Sequence, residues 1–237
     1  MHSSLALKSM KVLGRTRLDI DKISRDGSVR AVVLASAFEK VFTAGLDLLD
    51  TGSLANIEGL DPARMSLKLR DHILHFQSCI SAIERCTQPV VAAVHGVAFG
   101  LAIDILCCCD VRLSSPTVKY SIKEVDVGLA ADIGTLARLP KITGNESLLR
   151  ELAFTAREFG AEEAGEHLRW PKSSRPKVRL RLLDQGVLLH ARDHSVDENL
   201  EYTATWNQGM LQSSDTTDAF RAFQTKKPAQ FKPLPKL

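Results

Sequence analysis

The sequence predicts an α/β fold, and three features of the chain point that way. Short β-branched runs bounded by turn signals recur at 30–35, 90–94 and 111–113, the pattern of buried strands. Stretches with apolar residues at three- and four-residue spacing lie between them, as in helices packed on a core. The intervals suit right-handed crossovers between parallel strands. With 237 residues, 44% of them hydrophobic, the chain has enough material for one full core and a small appendage.

Residues 1–13 carry little pattern. Leu18, Ile20 and Ile23 predict a short helix over 15–23, stopped at Asp26-Gly27. Arg30 to Ala35 reads as a buried strand. The small-residue turn Phe42-Thr43-Ala44-Gly45-Leu46-Asp47-Leu48 comes after it, then a surface excursion over 48–59. Asp61-Pro62 opens a long helix, a cap residue before a proline at the first helical position. Met65, Leu69, Ile73, Phe76, Ile80 and Ile83 form its apolar stripe, which ends before Gln88-Pro89.

A strand from Val90 to Val94, a helix from Gly100 to Cys109 and a short strand from Val111 to Leu113 come next. Short helices are expected over 134–139, 146–152 and 161–166. Between Arg169 and Arg181 lie six basic residues and no acid. That run reads as a solvated segment, with anion binding as the alternative. Ser195-Val196-Asp197-Glu198 is a capping box for a helix to about residue 211, and a last helix covers 216–224. The chain thus divides into 1–13, a core over 14–166, a basic irregular segment over 167–191 and a helical region over 192–237.

Several function classes are excluded or left unsupported. A net charge of +3 is too slight to argue for nucleic acid. The five cysteines, three of them adjacent at 107–109, make neither a disulfide framework nor metal spacing; they read as small core residues in a reducing compartment. No apolar run approaches the ~18 residues that span a bilayer. There is no phosphate-binding Walker loop, no dinucleotide fingerprint and no nucleophile elbow. Lys8, Lys11, Arg15 and Arg17 precede the first acid, Asp19, as in a weak mitochondrial presequence, although a truncated first element explains them equally well. Pro235-Lys236-Leu237 is one substitution from a peroxisomal address.

Chemistry concentrates between 84 and 132. The turns at Ala44-Gly45-Leu46 and at Gly96 to Ala102 each leave backbone N–H groups unpaired, the second at a helix N-terminus. Each alone is a tight connection; converging, they would make an oxyanion hole. Three carboxylates accompany them. Asp104 lies one turn into an apolar helix, where a salt-bridged core acid is the alternative. Glu124 comes directly after Lys123, which could simply pair with it. Asp132 could cap the helix at Gly134. Together the acids and turns point to proton transfer at carbon beside a carbonyl whose enolate oxygen the turns hold.

Phe42 to Leu48, Val90 to Gly100, Cys109-Asp110-Val111-Arg112 and Ile122 to Gly134 resemble the enoyl-CoA hydratase/isomerase (crotonase) family. The run Lys123-Glu124-Val125-Asp126-Val127-Gly128-Leu129-Ala130-Ala131-Asp132-Ile133-Gly134-Thr135 is similar to its dienoyl-CoA isomerase branch, as are 192–198 and 204–207. The resemblance implies a stacked ββα spiral with a C-terminal helical region for assembly as trimer or hexamer. It also implies an acyl-CoA substrate, no metal or redox cofactor, and isomerisation of a dienoyl-CoA in fatty-acid oxidation in mitochondrion or peroxisome; another acyl-CoA hydratase or isomerase is the runner-up, and a catalytically silent, truncated relative acting as an interaction subunit is the rival. By motif, Leu46 and Leu101 would supply the two N–H donors to the thioester oxygen. Ala44, Gly45, Leu46, Asp47 and Leu48 would line the CoA thioester, Glu124 and Asp132 would form the acid/base pair, and Asp104 would support them. Glu124 is assigned to C2 of the acyl chain and Asp132 to C6, with the reverse open. The chain departs from the family in having Gly100-Leu101-Ala102 where three glycines are usual, in a short N-terminus, and at 166–191.

Overall fold

A computed structural model describes residues 9–45, 61–127, 130–168 and 170, with a few isolated positions beyond 189. The basic run apart from Trp170, and the two C-terminal helices apart from isolated positions, lie outside the described residues. Helix α1 (Ser9–Ser24) comes first, with three β–β–α passes after it. β1 (Val32–Ala35) and β2 (Val41–Thr43) precede α2 (Pro62–Glu84). β3 (Val90–Val94) and β4 (Val97–Phe99) precede α3 (Leu101–Cys107). β5 (Val111–Ser114) and β6 (Lys119–Ser121) lead through a 3-10 turn (Glu124–Val127) to α4 (Thr135–Ile142). α5 (Glu146–Thr155), β7 (Phe159–Gly160) and α6 (Ala161–His167) complete the described order.

The first strand of each pass joins one parallel sheet, in the order β1-β3-β5. The second strand joins another, β2-β4-β6, with β7 antiparallel at its edge. The expected ββα spiral is therefore present. β3 lies central in its sheet, with Val90, Val91, Ala92 and Val94 buried. Asp110 locks the start of β5 to it: its carboxylate accepts from Val90 N at 2.8 Å while its own N–H donates to Val90 O at 2.9 Å.

Asp61 caps α2, accepting from Ala63 N and Arg64 N, with Pro62 in the first turn. Phe76, Ile80 and Ile83 of its apolar stripe are buried. Every residue of α3 is buried, which explains its apolar composition apart from Asp104. All five cysteines are free and buried.

Two differences from the sequence reading are informative. α1 begins at Ser9 rather than near residue 15, since no stop signal precedes the packed part and helix propagation is cheap once nucleated. The strands of the second sheet, which the family resemblance implies, are not legible in the residue pattern itself. They are two or three residues long, too short to display alternation. The stretches read as turns at 42–48 and 96–102 instead begin as strands of that sheet.

Candidate active site

The turns after β2 and β4 meet. Gly45 has φ +99°, a conformation that favours glycine. A Cβ at that position would lie 3.2 Å from Phe99 O and 3.7 Å from Leu101 N. The first turn therefore abuts the amide that opens α3. As the first residue of a helix, Leu101 has no acceptor for its N–H within that helix. Its side chain is 4% exposed and belongs to the hydrophobic core, so the leucine is absorbed by packing. Ala44 is exposed beside Gly45. Leu46, Asp47 and Leu48 lie outside the described residues.

Glu124 is brought to the same place by β6. Gly100 N–H donates to Ser121 O at 2.9 Å, tying the turn to the strand end. Ile122 is 1% exposed and anchors the entry to the 3-10 turn. Glu124 then faces inward while Val125 faces solvent. Its Oε1 lies 3.5 Å from where a Gly100 Cβ would stand, and its Oε2 is buried with no hydrogen-bond partner. Lys123 instead bonds Asp126 at 2.9 Å and Ala156 O at 3.1 Å, so the neighbouring cation does not neutralise Glu124. Burial, and next the negative charge of Asp104, push Glu124 up to about 7, with Asp132 adding to the effect.

Asp104 is 1% exposed. Its Oδ1 accepts from Thr135 N at 2.6 Å and from Thr135 Oγ1 at 2.8 Å. Gly134, the N-cap residue of α4, offers no side chain, so Asp104 caps that helix from α3. Burial pushes the Asp104 carboxyl up to about 6; the Thr135 hydrogen bonds and the Arg138 charge oppose the rise.

Asp132 does not take the capping role. Its side chain is exposed, and its carboxylate has no hydrogen-bond or ion-pair partner among the described residues. Its backbone is held instead: Gln77 Nε2 donates to Asp132 O at 2.6 Å. The structure thus groups Asp104, Glu124 and Asp132 closely enough for each to perturb another, beside the Gly45–Leu101 junction.

Sequence reasoning missed three contributors. Gln77, Ser81 and Glu84 of α2 all face this region, the latter two through Arg138 of α4. One signal was available: they repeat at four and three residues, one position after the apolar Phe76, Ile80 and Ile83. Elsewhere His95 is a strand-end anchor, its Nε2 2.6 Å from Phe38 O.

The site is thus a helix-opening amide beside a half-buried carboxylate, set on a spiral of ββα passes. Residues 18–167 match the model of the enoyl-CoA hydratase/isomerase family. The chain is 43% identical to the human mitochondrial Delta(3,5)-Delta(2,4)-dienoyl-CoA isomerase over 233 residues, covering 90% of this chain and 70% of that protein. It is 37% identical to the peroxisomal enzyme of the same name from Arabidopsis thaliana, covering 86% and 80%. A solved enoyl-CoA hydratase from Geobacillus kaustophilus superposes with a TM-score of 0.81 at 18% identity, covering 99% and 92%. The chain belongs to the enoyl-CoA hydratase/isomerase family and has its crotonase fold.

Proposed function

We propose that this protein isomerises 3,5-dienoyl-CoA thioesters to 2,4-dienoyl-CoA thioesters. The observation that carries the reading is Glu124. Its carboxylate is half-buried against Gly100, has an unpartnered buried oxygen, and is raised to about 7, where a group both accepts and releases protons readily. Support also comes from the relatives named dienoyl-CoA isomerase.

The thioester oxygen is held by the N–H groups of Leu101 and Leu46. Glu124, next to that junction, removes a proton from C2. The electron pair left behind delocalises over the conjugated chain to C6, and the N–H donors stabilise the oxygen end. Asp132, exposed to solvent, takes up a proton from water and delivers it to C6, and Glu124 returns the C2 proton to solvent, so one proton leaves the substrate, one arrives and both acids are reset. C2 and C6 are four bonds apart, roughly 5 Å by covalent dimensions, too far for one carboxylate to serve both. Asp104 stays behind the pair, fixing the start of α4 and adding negative charge that keeps Glu124 basic. The same reading places the protein in fatty-acid oxidation, in mitochondrion or peroxisome as the relatives' names have it, and as a trimer or hexamer.

Purified protein mixed with a 3,5-dienoyl-CoA should produce the ultraviolet absorbance of the 2,4-diene. Absence of that signal, with hydration of a 2-enoyl-CoA instead, would replace isomerase by hydratase. Absence of both, with no CoA-dependent rise in Tm, would remove the enzyme reading.

A further inference from the structure

One catalytic carboxylate in the proposed reaction has no anchor of its own. Asp104 is fixed by two hydrogen bonds from Thr135, and Glu124 is wedged against Gly100. The Asp132 carboxylate is exposed and unpartnered among the described residues, so its location is set by its backbone. Three polar side chains of α2 hold that backbone and the start of α4. They stand at i, i+4 and i+7, which places them on one helix face.

Gln77 donates to Asp132 O at 2.6 Å. Ser81 Oγ accepts from Arg138 Nη2 at 2.7 Å, and Glu84 Oε2 accepts from Arg138 Nε at 2.8 Å. Arg138 reaches α2 by crossing directly over Gly134, where a Cβ would meet its Nη1 at 2.0 Å; glycine is needed there for that approach. Packing alone does not do this work. Ala131 and Ile133 on either side of Asp132 pack on the core, but a cavity of about 330 Å³ opens among Gln77, Ser81, Glu84, Asp132, Gly134 and Arg138, and the hydrogen bonds span the gap that close contact leaves between α2 and the 132–134 turn.

We propose that the Gln77–Ser81–Glu84 face of α2, acting on Asp132 directly and through Arg138, is positioning machinery that sets Asp132 at its working distance from Glu124. The proposal rests on the isomerase reading for its kinetic consequence, and on the structure alone for its geometry. Gln77 is the residue to test because it is only partly buried and bonds a main-chain oxygen, so its loss leaves the core intact. Misplacing a catalytic group by an ångström costs on the order of a hundredfold in rate.

With wild-type turnover established on 3,5-dienoyl-CoA, Gln77→Ala should lower kcat roughly ten- to a hundredfold with KM little changed and Tm nearly as in wild type. Gln77→Glu, of equal size but without an N–H donor when ionised, should behave like Gln77→Ala. Arg138→Lys should recover part of the kcat that Arg138→Met loses. Wild-type kcat in Gln77→Ala, or an effect confined to KM, would overturn the proposal. An inactive wild-type protein would sink the isomerase reading instead. The geometry is then read without turnover, by amide hydrogen exchange: Gln77→Ala should speed exchange at 132–135 and leave β3 unchanged, and unaltered exchange at 132–135 would overturn the positioning role.

Discussion

Asp104 and Asp132 are the two acids whose negative charge acts on Glu124, and the protein treats them oppositely. Asp104 is 1% exposed, accepts two hydrogen bonds from Thr135 and caps a helix. Asp132 is exposed, its carboxylate is unpartnered among the described residues, and its carbonyl accepts from Gln77. The cap that sequence logic would give to Asp132, two residues before a helix N-cap, is supplied from a different helix. That substitution leaves the Asp132 carboxylate available for the proton transfer proposed for it. The lesson is that a carboxylate's availability depends on which neighbour satisfies the nearby N–H groups, and the buried acid wins here because it has no water to compete.

The comparison breaks most visibly under substitution. Asp132→Asn should reduce kcat by about 10²–10⁴-fold, the usual worth of a general acid or base, while Tm stays close to wild type. Exchange of the C2 proton with deuterated solvent should persist in that variant, because Glu124 still serves C2. Loss of exchange along with turnover would reverse the assignment of the two acids.

At the other end the cost should be structural. Asp104→Ala leaves the Thr135 donors unpaired and should lower stability by about 1–3 kcal/mol, read as a fall in Tm of roughly 2–4 °C for each kcal/mol. Asp104→Asn keeps an acceptor and should lose far less. Equal Tm values for both variants would mean that the cap contributes nothing.

Glu124 sharpens the comparison through pH. As a base it acts ionised, so kcat/KM should fall as pH drops through about 7, the value to which burial and the negative charges of Asp104 and Asp132 raise it. The stability effect has the opposite sign. Because the folded carboxyl sits above its ordinary value of 4.5, its contribution is fully present below that value and lost as pH rises through about 7. Glu124→Gln should therefore be inactive yet melt above wild type in mildly alkaline buffer, by about 1 kcal/mol once partial exposure is allowed for. The difference should vanish in acid, as thermal melts across pH will show.

Legibility tracked the length and purity of each signal. Val90–Val94 and the helix opening at Asp61-Pro62 were readable to the residue, since one is an unbroken apolar, valine-rich run and the other has a cap, a proline and a long apolar stripe. β2, β4, β6 and β7 were not, because two or three residues gain their conformation from neighbours rather than from their own pattern. In the site, the carboxylates stood out because acids among apolar residues and glycines are rare. Arg138 and Gln77 did not, because a polar residue on a helix face is ordinary until something is placed opposite it.

By itself, then, the chain determined the alternation of strands and helices, the family to which it belongs and the identity of the three acids. Those are properties of local composition and motif, written in consecutive residues. Which acid is spent as a cap, which is raised toward neutrality and which is left free were decided only by the tertiary structure. Burial, charge proximity and hydrogen-bond competition act between residues far apart in the chain, 55 positions for Gln77 and Asp132 and 57 for Ser81 and Arg138, and no single stretch of sequence contains both partners.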